Sequence, residues 1–290
     1  MTAKGTLIPI GGNEDKGIEI SEIYHLEYIQ DGILSRVVRE SGGVDACIII
    51  IPTASSIPVE VGENYIKAFG KLGCTDLHVM DIRERKQSED PANIALIKKA
   101  DCIMFSGGNQ SKITRKIGGT TIHQILSERF QKEKIVIAGT SAGAMCMSRE
   151  MITGGSSQES FLKGAVGMGD GMSFVPKLII DSHFIRRGRF GRLAEAVARF
   201  PELIGIGLAE DTGLIIKKNS FEVIGSGMVI VFDARKARHN NHYALAEGTP
   251  MSLTNLKTHI LAHGDRFNIK KKKVKVSHLH ISVTDADLID

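Results

Sequence analysis

An α/β domain on a mostly parallel central sheet is the fold this sequence predicts, and two observations predict it. Short apolar runs rich in Ile and Val recur at 6–10, 47–52, 77–82, 101–105 and 135–138. Between them lie segments with apolar residues at i, i+3 and i+4. Strands alternating with amphipathic helices form βαβ units, whose strands run parallel. The 290 residues, 42% of them hydrophobic, can bury one large core. No internal repeat, Pro-rich linker or low-complexity tract divides them, so 1–290 reads as a single domain with 270–290 as a C-terminal tail.

Taken in order, the run at 6–10 has a single Lys4 before it and is too short for a secretory core. The segments 18–41, 57–72, 91–100 and 120–132 present apolar stripes to the sheet, as with Tyr65, Phe69 and Leu72. After about residue 203 the texture changes to closely spaced strands, 204–208, 213–216, 221–224 and 228–232. These predict antiparallel strands added to the same sheet or forming a small flanking one. The basic run 270–273 reads as a solvated tail or a charged edge strand.

Composition excludes several classes of function. Lys plus Arg number 37 against 33 Asp plus Glu, and a net charge of +4 is too small to imply a nucleic-acid partner. Cys47, Cys74, Cys102 and Cys146 form no CxxC or paired framework, which suits buried thiols in a reducing compartment. No segment reaches the length needed to span a bilayer. A soluble, cytoplasmic protein with no membrane partner is expected.

The candidate nucleophile is Ser141. The β-branched run 134–138 leads directly into Gly139-Thr-Ser-Ala-Gly143, after which helix formers continue to Arg149. This is the strand, sharp turn and helix of a nucleophile elbow. A strained turn lifts the central hydroxyl clear of the sheet, and only small neighbours tolerate the close backbone contacts. The helix start behind it supplies Ala142 N–H as an oxyanion donor. A second glycine turn, Ser106-Gly-Gly-Asn-Gln110, ends the preceding strand and should lie beside the elbow, where Gly107 and Gly108 can offer further N–H groups and Gln110 can reach a substrate.

A serine nucleophile needs an imidazole base, and the imidazole needs an acceptor that fixes its tautomer. Of ten histidines, His183 is the best placed, because the apolar strand beginning at Leu178 ends in Asp181-Ser-His183 and emerges at the catalytic edge. His242, His259 and His263 are the alternatives. The acid stays open among Glu150, Glu159, Asp170 and Asp181, with Glu159 in a Gly/Ser-rich connection of the kind that carries functional groups. Arg186, Arg187, Arg189 and Arg192 follow His183, and several guanidinium groups beside a catalytic histidine suggest a substrate bearing carboxylates.

The combination of FSGGNQ at 105–110, GTSAGA at 139–144, DSHFIRRGRFGRL at 181–193 and HILAHGDRF at 259–267 resembles the cyanophycinases, of the aspartyl-dipeptidase-like serine peptidase family S51. The likeness runs from IPIGG at 8–12 through the last of these motifs. It implies a three-layer α/β/α sandwich related to the class I amidotransferases, flavodoxin-like in its central sheet. It implies Ser141 as nucleophile, His183 as base and Glu159 as acid, with Gln110, Asp181, Ser182, Arg187, Arg189 and Arg192 forming the substrate pocket. It also implies a homodimer that hydrolyses β-aspartyl linkages of cyanophycin, releasing β-Asp-Arg dipeptides without metal or cofactor. The family commonly has Gln where this chain has Ser182, a shorter side chain that bears on substrate choice rather than on the nucleophile. Two other readings share the motifs: an α/β-hydrolase esterase using His259 or His263, and a binding protein that holds isoaspartyl peptides without turnover.

Overall fold

The computed structural model describes residues 3–18, 26–155 and 161–277. The first half alternates as expected. Strand β1 (Thr6–Ile10) is followed by α1 (Ile33–Glu40), β2 (Ile48–Ile51), α2 (Pro58–Lys71), β3 (Leu77–Val79), α3 (Pro91–Lys99), β4 (Cys102–Phe105), α4 (Gln110–Ile117), α5 (Thr121–Lys132) and β5 (Val136–Thr140). The strands pair in the order β1-β5-β4-β2-β3, all parallel.

The run of four isoleucines in β2 shows how both faces are covered. Ile48 and Ile50 join one core with Leu34, Val37 and Phe69 of α1 and α2. Ile49 and Ile51 join another with Ile97, Ile113 and Ile122 of α3, α4 and α5. Alternate side chains point to opposite faces, so an uninterrupted apolar strand requires helices on both sides. The result is the three-layer arrangement. Local chemistry sets the helix starts: Asp90, Asn109 and Thr120 accept backbone N–H groups at the beginnings of α3, α4 and α5.

The chain continues through α6 (Ala142–Met145), β6 (Glu150–Gly154), β7 (Gly167–Asp170), β8 (Leu178–Asp181), α7 (Phe190–Arg199), β9 (Ile204–Leu208), β10 (Thr212–Lys217), β11 (Ser220–Gly225), β12 (Val229–Asp233), β13 (His239–Asn240), β14 (Leu253–Thr254), β15 (Lys257–Leu261), β16 (Arg266–Asn268) and β17 (Lys273–Lys275). Both forms expected for the second half occur. Strands β10, β11, β16 and β17 extend the first sheet antiparallel beyond β1. Strands β8, β9, β12 and β15 form a separate four-stranded sheet, on which α7 packs Leu193 and Val197 against Ile179 and Ile230.

Two local expectations are corrected. The helix after the elbow stops at Met145 instead of running to Arg149. Ser148 is held elsewhere, bridging to Val175 and accepting Ile180 N–H at 3.1 Å, so tertiary pairing overrides helix propensity. The segment 18–41 is helical only from Ile33 among its described residues, with turns before it. All four cysteines are buried free thiols. No helix among the described residues is long and apolar enough to cross a membrane.

The edge beyond the carboxyl ends of the strands is organised by the residues that leave β1. Three consecutive carbonyls, of Ile10, Gly11 and Gly12, accept the N–H groups of Ser141, His183 and Asp211 at 2.8, 2.8 and 2.9 Å. Those three donors lie just beyond the carboxyl ends of β5, β8 and β9. One short segment therefore ties together turns drawn from both sheets, at the edge where an α/β sheet places its ligand.

Candidate active site

Ser141 occupies the strained corner that the sequence predicts, with φ 49° and ψ −106° between β5 and α6. Such a conformation costs on the order of 1–3 kcal/mol in a non-glycine residue and persists because its surroundings impose it. The small neighbours are needed: a methyl placed on Gly143 would stand 2.4 Å from Phe105 O. A methyl on Gly107 would stand 3.5 Å from Ser141 Cβ, so the second glycine turn lies beside the nucleophile. The N–H groups of Gly107, Gly108 and Ala142 have no acceptor among the described residues, the condition an oxyanion donor requires. Because α6 is a single turn, these individual amides carry the electrostatics and a long helix dipole does not.

Ser141 and His183 line one cleft of about 710 Å³, and His183 is the histidine on its wall. The other histidines considered as bases lie elsewhere. His242 is buried with Nε2 3.9 Å from Glu195, His259 sits on β15 against Phe267, and His263 Nδ1 is 3.2 Å from Gly225 O. His183 itself has φ 46° and its Nδ1 is 2.7 Å from Glu210 Oε1. The second oxygen of Glu210 accepts from Arg186 at 2.9 Å. Burial holds the imidazole below its usual pKa, with the charges of Arg187 and Arg189 adding to that effect and Glu210 opposing it. Burial would raise the Glu210 pKa, but Arg186 and His183 outweigh it and keep the carboxyl below its ordinary value. A neutral imidazole with an ionised acceptor on Nδ1 directs Nε2 outward as a base. Ser141 Oγ is 3.4 Å from Ser182 Oγ.

Glu159 lies outside the described residues, and the carboxylate that meets His183 among the described residues is Glu210. Sequence reasoning missed it although a signal existed: Glu210 follows the apolar strand β9 just as His183 follows β8. Those strands are parallel neighbours, with Asp181 opposite Gly207, so their ends deliver the two residues side by side.

The residues expected to bind substrate separate into two groups. Asp181 is fully buried and paired with Arg189 at 3.1 Å and with Arg192 Nε at 2.8 Å, while Arg192 Nη2 reaches its other oxygen. Arg189 also donates to Ser182 O at 2.7 Å. These three side chains form an internal knot behind His183. Ser182 is buried too, with its hydroxyl toward Ser141 and toward Met145 Sδ at 3.3 Å. Gln110 donates to Ile152 O at 2.8 Å, fastening α4 to β6. Of the predicted pocket residues outside the two glycine turns, Arg187 is the one on the cleft wall, and its guanidinium forms no ion pair among the described residues.

Glu14 was not anticipated. It is buried at the cleft, where it accepts the Thr140 and Tyr65 hydroxyls and pairs with Lys16 at 3.0 Å. Burial disfavours its charge, yet Lys16 and the two hydroxyl donors outweigh that and lower its pKa. Through Thr140 it braces the residue that precedes the nucleophile. The potential metal donors that cluster among the described residues, Cys47, Asp76 and His78, stand at the amino ends of β2 and β3, across the sheet from Ser141.

The model of Peptidase family S51 matches residues 19–224. The chain is 38% identical over 268 residues to the cyanophycinase of Geminocystis herdmanii, covering 92% of this chain and 94% of that relative. It is 34% identical over 275 residues to the cyanophycinase of Trichormus variabilis, covering 94% and 89%. Among solved structures, a peptidase from an acI-B1 Actinobacterium superimposes with a TM-score of 0.62 at 20% identity, covering 92% of this chain and 98% of that one, which is a likeness of fold.

Two variants test this arrangement. Gly12 has φ 108°, and a methyl there would come within 2.4 Å of His183 Cε1. Gly12→Ala is expected to displace the imidazole and slow fluorophosphonate labelling of Ser141 about 100-fold, the order of loss for a roughly 1 Å misplacement. Asp181→Ala strands the charge of buried Arg192 and is expected to cost about 3–5 kcal/mol of stability in urea unfolding. A loss confined to substrate affinity would show Asp181 to be a binding residue instead.

Proposed function

The chain belongs to peptidase family S51, and from that premise and the geometry of the cleft we propose a serine exopeptidase that degrades cyanophycin through Ser141, His183 and Glu210. The observation that carries the mechanism is the 2.7 Å contact of Glu210 with Nδ1 of His183, the histidine on the wall of the cleft that also holds Ser141. The substrate class comes from the curated relatives, both named cyanophycinase and aligned over nearly all of this chain.

On substrate entry the Ser141 hydroxyl turns from Ser182 toward His183 Nε2, a tightening usual in serine hydrolases. Its oxygen attacks the carbonyl of the scissile amide as Nε2 takes the proton. The tetrahedral oxyanion is met by the amides of Gly107, Gly108 and Ala142, and removing one such donor typically costs about 10²–10³ in kcat. His183 passes the proton to the departing amine, leaving an acyl-enzyme on Ser141. Water, deprotonated by the same imidazole, releases the acyl group and restores the hydroxyl. A released β-Asp-Arg dipeptide keeps its β-aspartyl bond, so the expectation that this linkage is hydrolysed is corrected on chemical grounds: the bond cut is the amide joining one aspartyl-arginine unit to the next. Arg187, the unpaired cation on the wall, is placed to hold a substrate carboxylate. The family resemblance also supports a homodimer in the cytoplasm.

Incubation of the purified protein with the polymer is expected to release β-Asp-Arg, read by mass spectrometry, and Ser141→Ala is expected to abolish that release. Full release by Ser141→Ala would overturn the mechanism. Glu210→Gln is expected to lower kcat by on the order of 10⁴, as loss of a tautomer-fixing carboxylate does, and by far more than Glu159→Gln. The reverse order would give the role to Glu159. The base works when neutral, and its pKa is held below 6.5, so the acid limb of kcat/KM is expected below that pH. Arg187→Ala removes a charge that lowers this pKa, and the limb should then move to higher pH.

A further inference from the structure

One wall of the cleft is built from the segment after β1 and the first turns of α2, with Glu14, Asp15, Lys16, Glu60, Asn64 and Tyr65 on it. Most of its polar groups are spent. Glu14 takes the Tyr65 and Thr140 hydroxyls and the Lys16 ammonium. Asp15 Oδ1 takes Gly17 N–H at 2.7 Å. Glu60 and Asn64 are different: neither side chain has a hydrogen bond or ion pair among the described residues. Four positions apart on α2, they share one helix face. Besides Asp15, whose Oδ1 is taken by a backbone N–H, the cleft holds two charged side chains of opposite sign without an ion pair among the described residues, Arg187 beside His183 and Glu60 on α2.

We propose that Glu60, assisted by Asn64, is the subsite for the cationic side chain of the substrate, and that it makes the enzyme select basic aspartyl units over neutral ones. The inference rests on the hydrolytic reading of the same cleft and deepens it. A substrate unit that presents a carboxylate to Arg187 and a cation at the far end of a long side chain matches the two poles. The planar fork of a guanidinium can give two parallel N–H bonds to the Glu60 carboxylate while Asn64 offers its amide oxygen to a remaining N–H. An ammonium makes fewer such bonds, so arginine is preferred to lysine at this subsite. An acidic residue in the first turn of α2 also favours that helix through its dipole, but that role affects stability and carries no preference between ligands.

The test is calorimetric and independent of turnover. In full-length Ser141→Ala protein, β-Asp-Arg is expected to bind more tightly than β-Asp-Leu. Glu60→Gln is expected to reduce that preference about tenfold, equivalent to about 1.4 kcal/mol, and Glu60→Lys to reduce it further, with Asn64→Ala giving a smaller loss in the same direction. Because each ratio is taken within one variant, a fall in folded fraction cancels, and the titration stoichiometry reports it separately. Equal binding of the two dipeptides by the parent, or a preference within twofold of the parent's in both Glu60 variants, overturns the proposal. Polymer cleavage by the unaltered enzyme reports on the hydrolytic reading alone: an enzyme that fails to cleave but still shows the Glu60-dependent preference keeps the subsite and loses the reaction.

Discussion

The site depends on three adjacent peptide carbonyls. Ile10, Gly11 and Gly12 hold the N–H groups of Ser141, His183 and Asp211, and with them the proposed nucleophile, the proposed base and the turn next to Glu210. Two of these anchored residues come from the smaller sheet or its connections and one from the larger, so this segment is where the two sheets are registered. The geometry fixes side chains through backbone bonds, which are harder to perturb than side-chain contacts. It also explains the strain. Ser141, His183 and Asp211 all have positive φ without being glycine, and each gains a short hydrogen bond to the β1 segment in that conformation. The cost of a turn that lifts a functional group out of the sheet is offset by the bond that locates it.

Charge around the site is kept in separate compartments. Asp181 with Arg189 and Arg192 forms a closed knot behind His183, and Glu14 with Lys16, Tyr65 and Thr140 forms another beneath the elbow. Buried ions of this kind stabilise little in net terms, because desolvation consumes much of the attraction, but each fixes a residue one or two positions from the chemistry. Asp181 accepts Ser182 N–H at 2.8 Å, next to His183, and Glu14 holds Thr140, next to Ser141. The remaining pair, Glu210 with Arg186, joins the site through the imidazole's Nδ1. Arg186 keeps Glu210 ionised while His183, partly buried and near Arg187, stays neutral. The shifts favour a charged acceptor and an uncharged imidazole at the same pH, as the proposed proton abstraction from Ser141 would require.

Much of the first sheet was legible because a strand covered on both faces has no polar positions to obscure it, and the run at Ile48–Ile51 is the extreme case. The elbow was legible for a related reason, since a glycine-flanked serine after such a strand has few other structural uses. Glu210 was hidden because pairing of β8 with β9 is a long-range fact. No local pattern says which two strand ends will be neighbours. For Arg189 and Arg192 the carboxylate in contact is the protein's own Asp181, a pairing the sequence does not reveal. Composition cannot distinguish a guanidinium that waits for a ligand from one that has already found a partner inside.

The short α6 bears on how an oxyanion at the proposed nucleophile would be stabilised. A long helix behind the nucleophile would offer the summed partial charge of its first turn, whereas the single turn Ala142–Met145 offers little beyond its own amides. Stabilisation therefore has to come from placement. The amides of Gly107 and Gly108 belong to the turn after β4, whose parallel pairing with β5 sets Phe105 opposite Gly139. Sheet register thereby brings that turn beside Ser141, and Gly143 packs so closely on Phe105 O that a side chain there would not fit. Preorganised donors of this kind need no reorganisation when charge develops. The register of the parallel sheet thus sets where the two glycine turns stand relative to each other at Ser141.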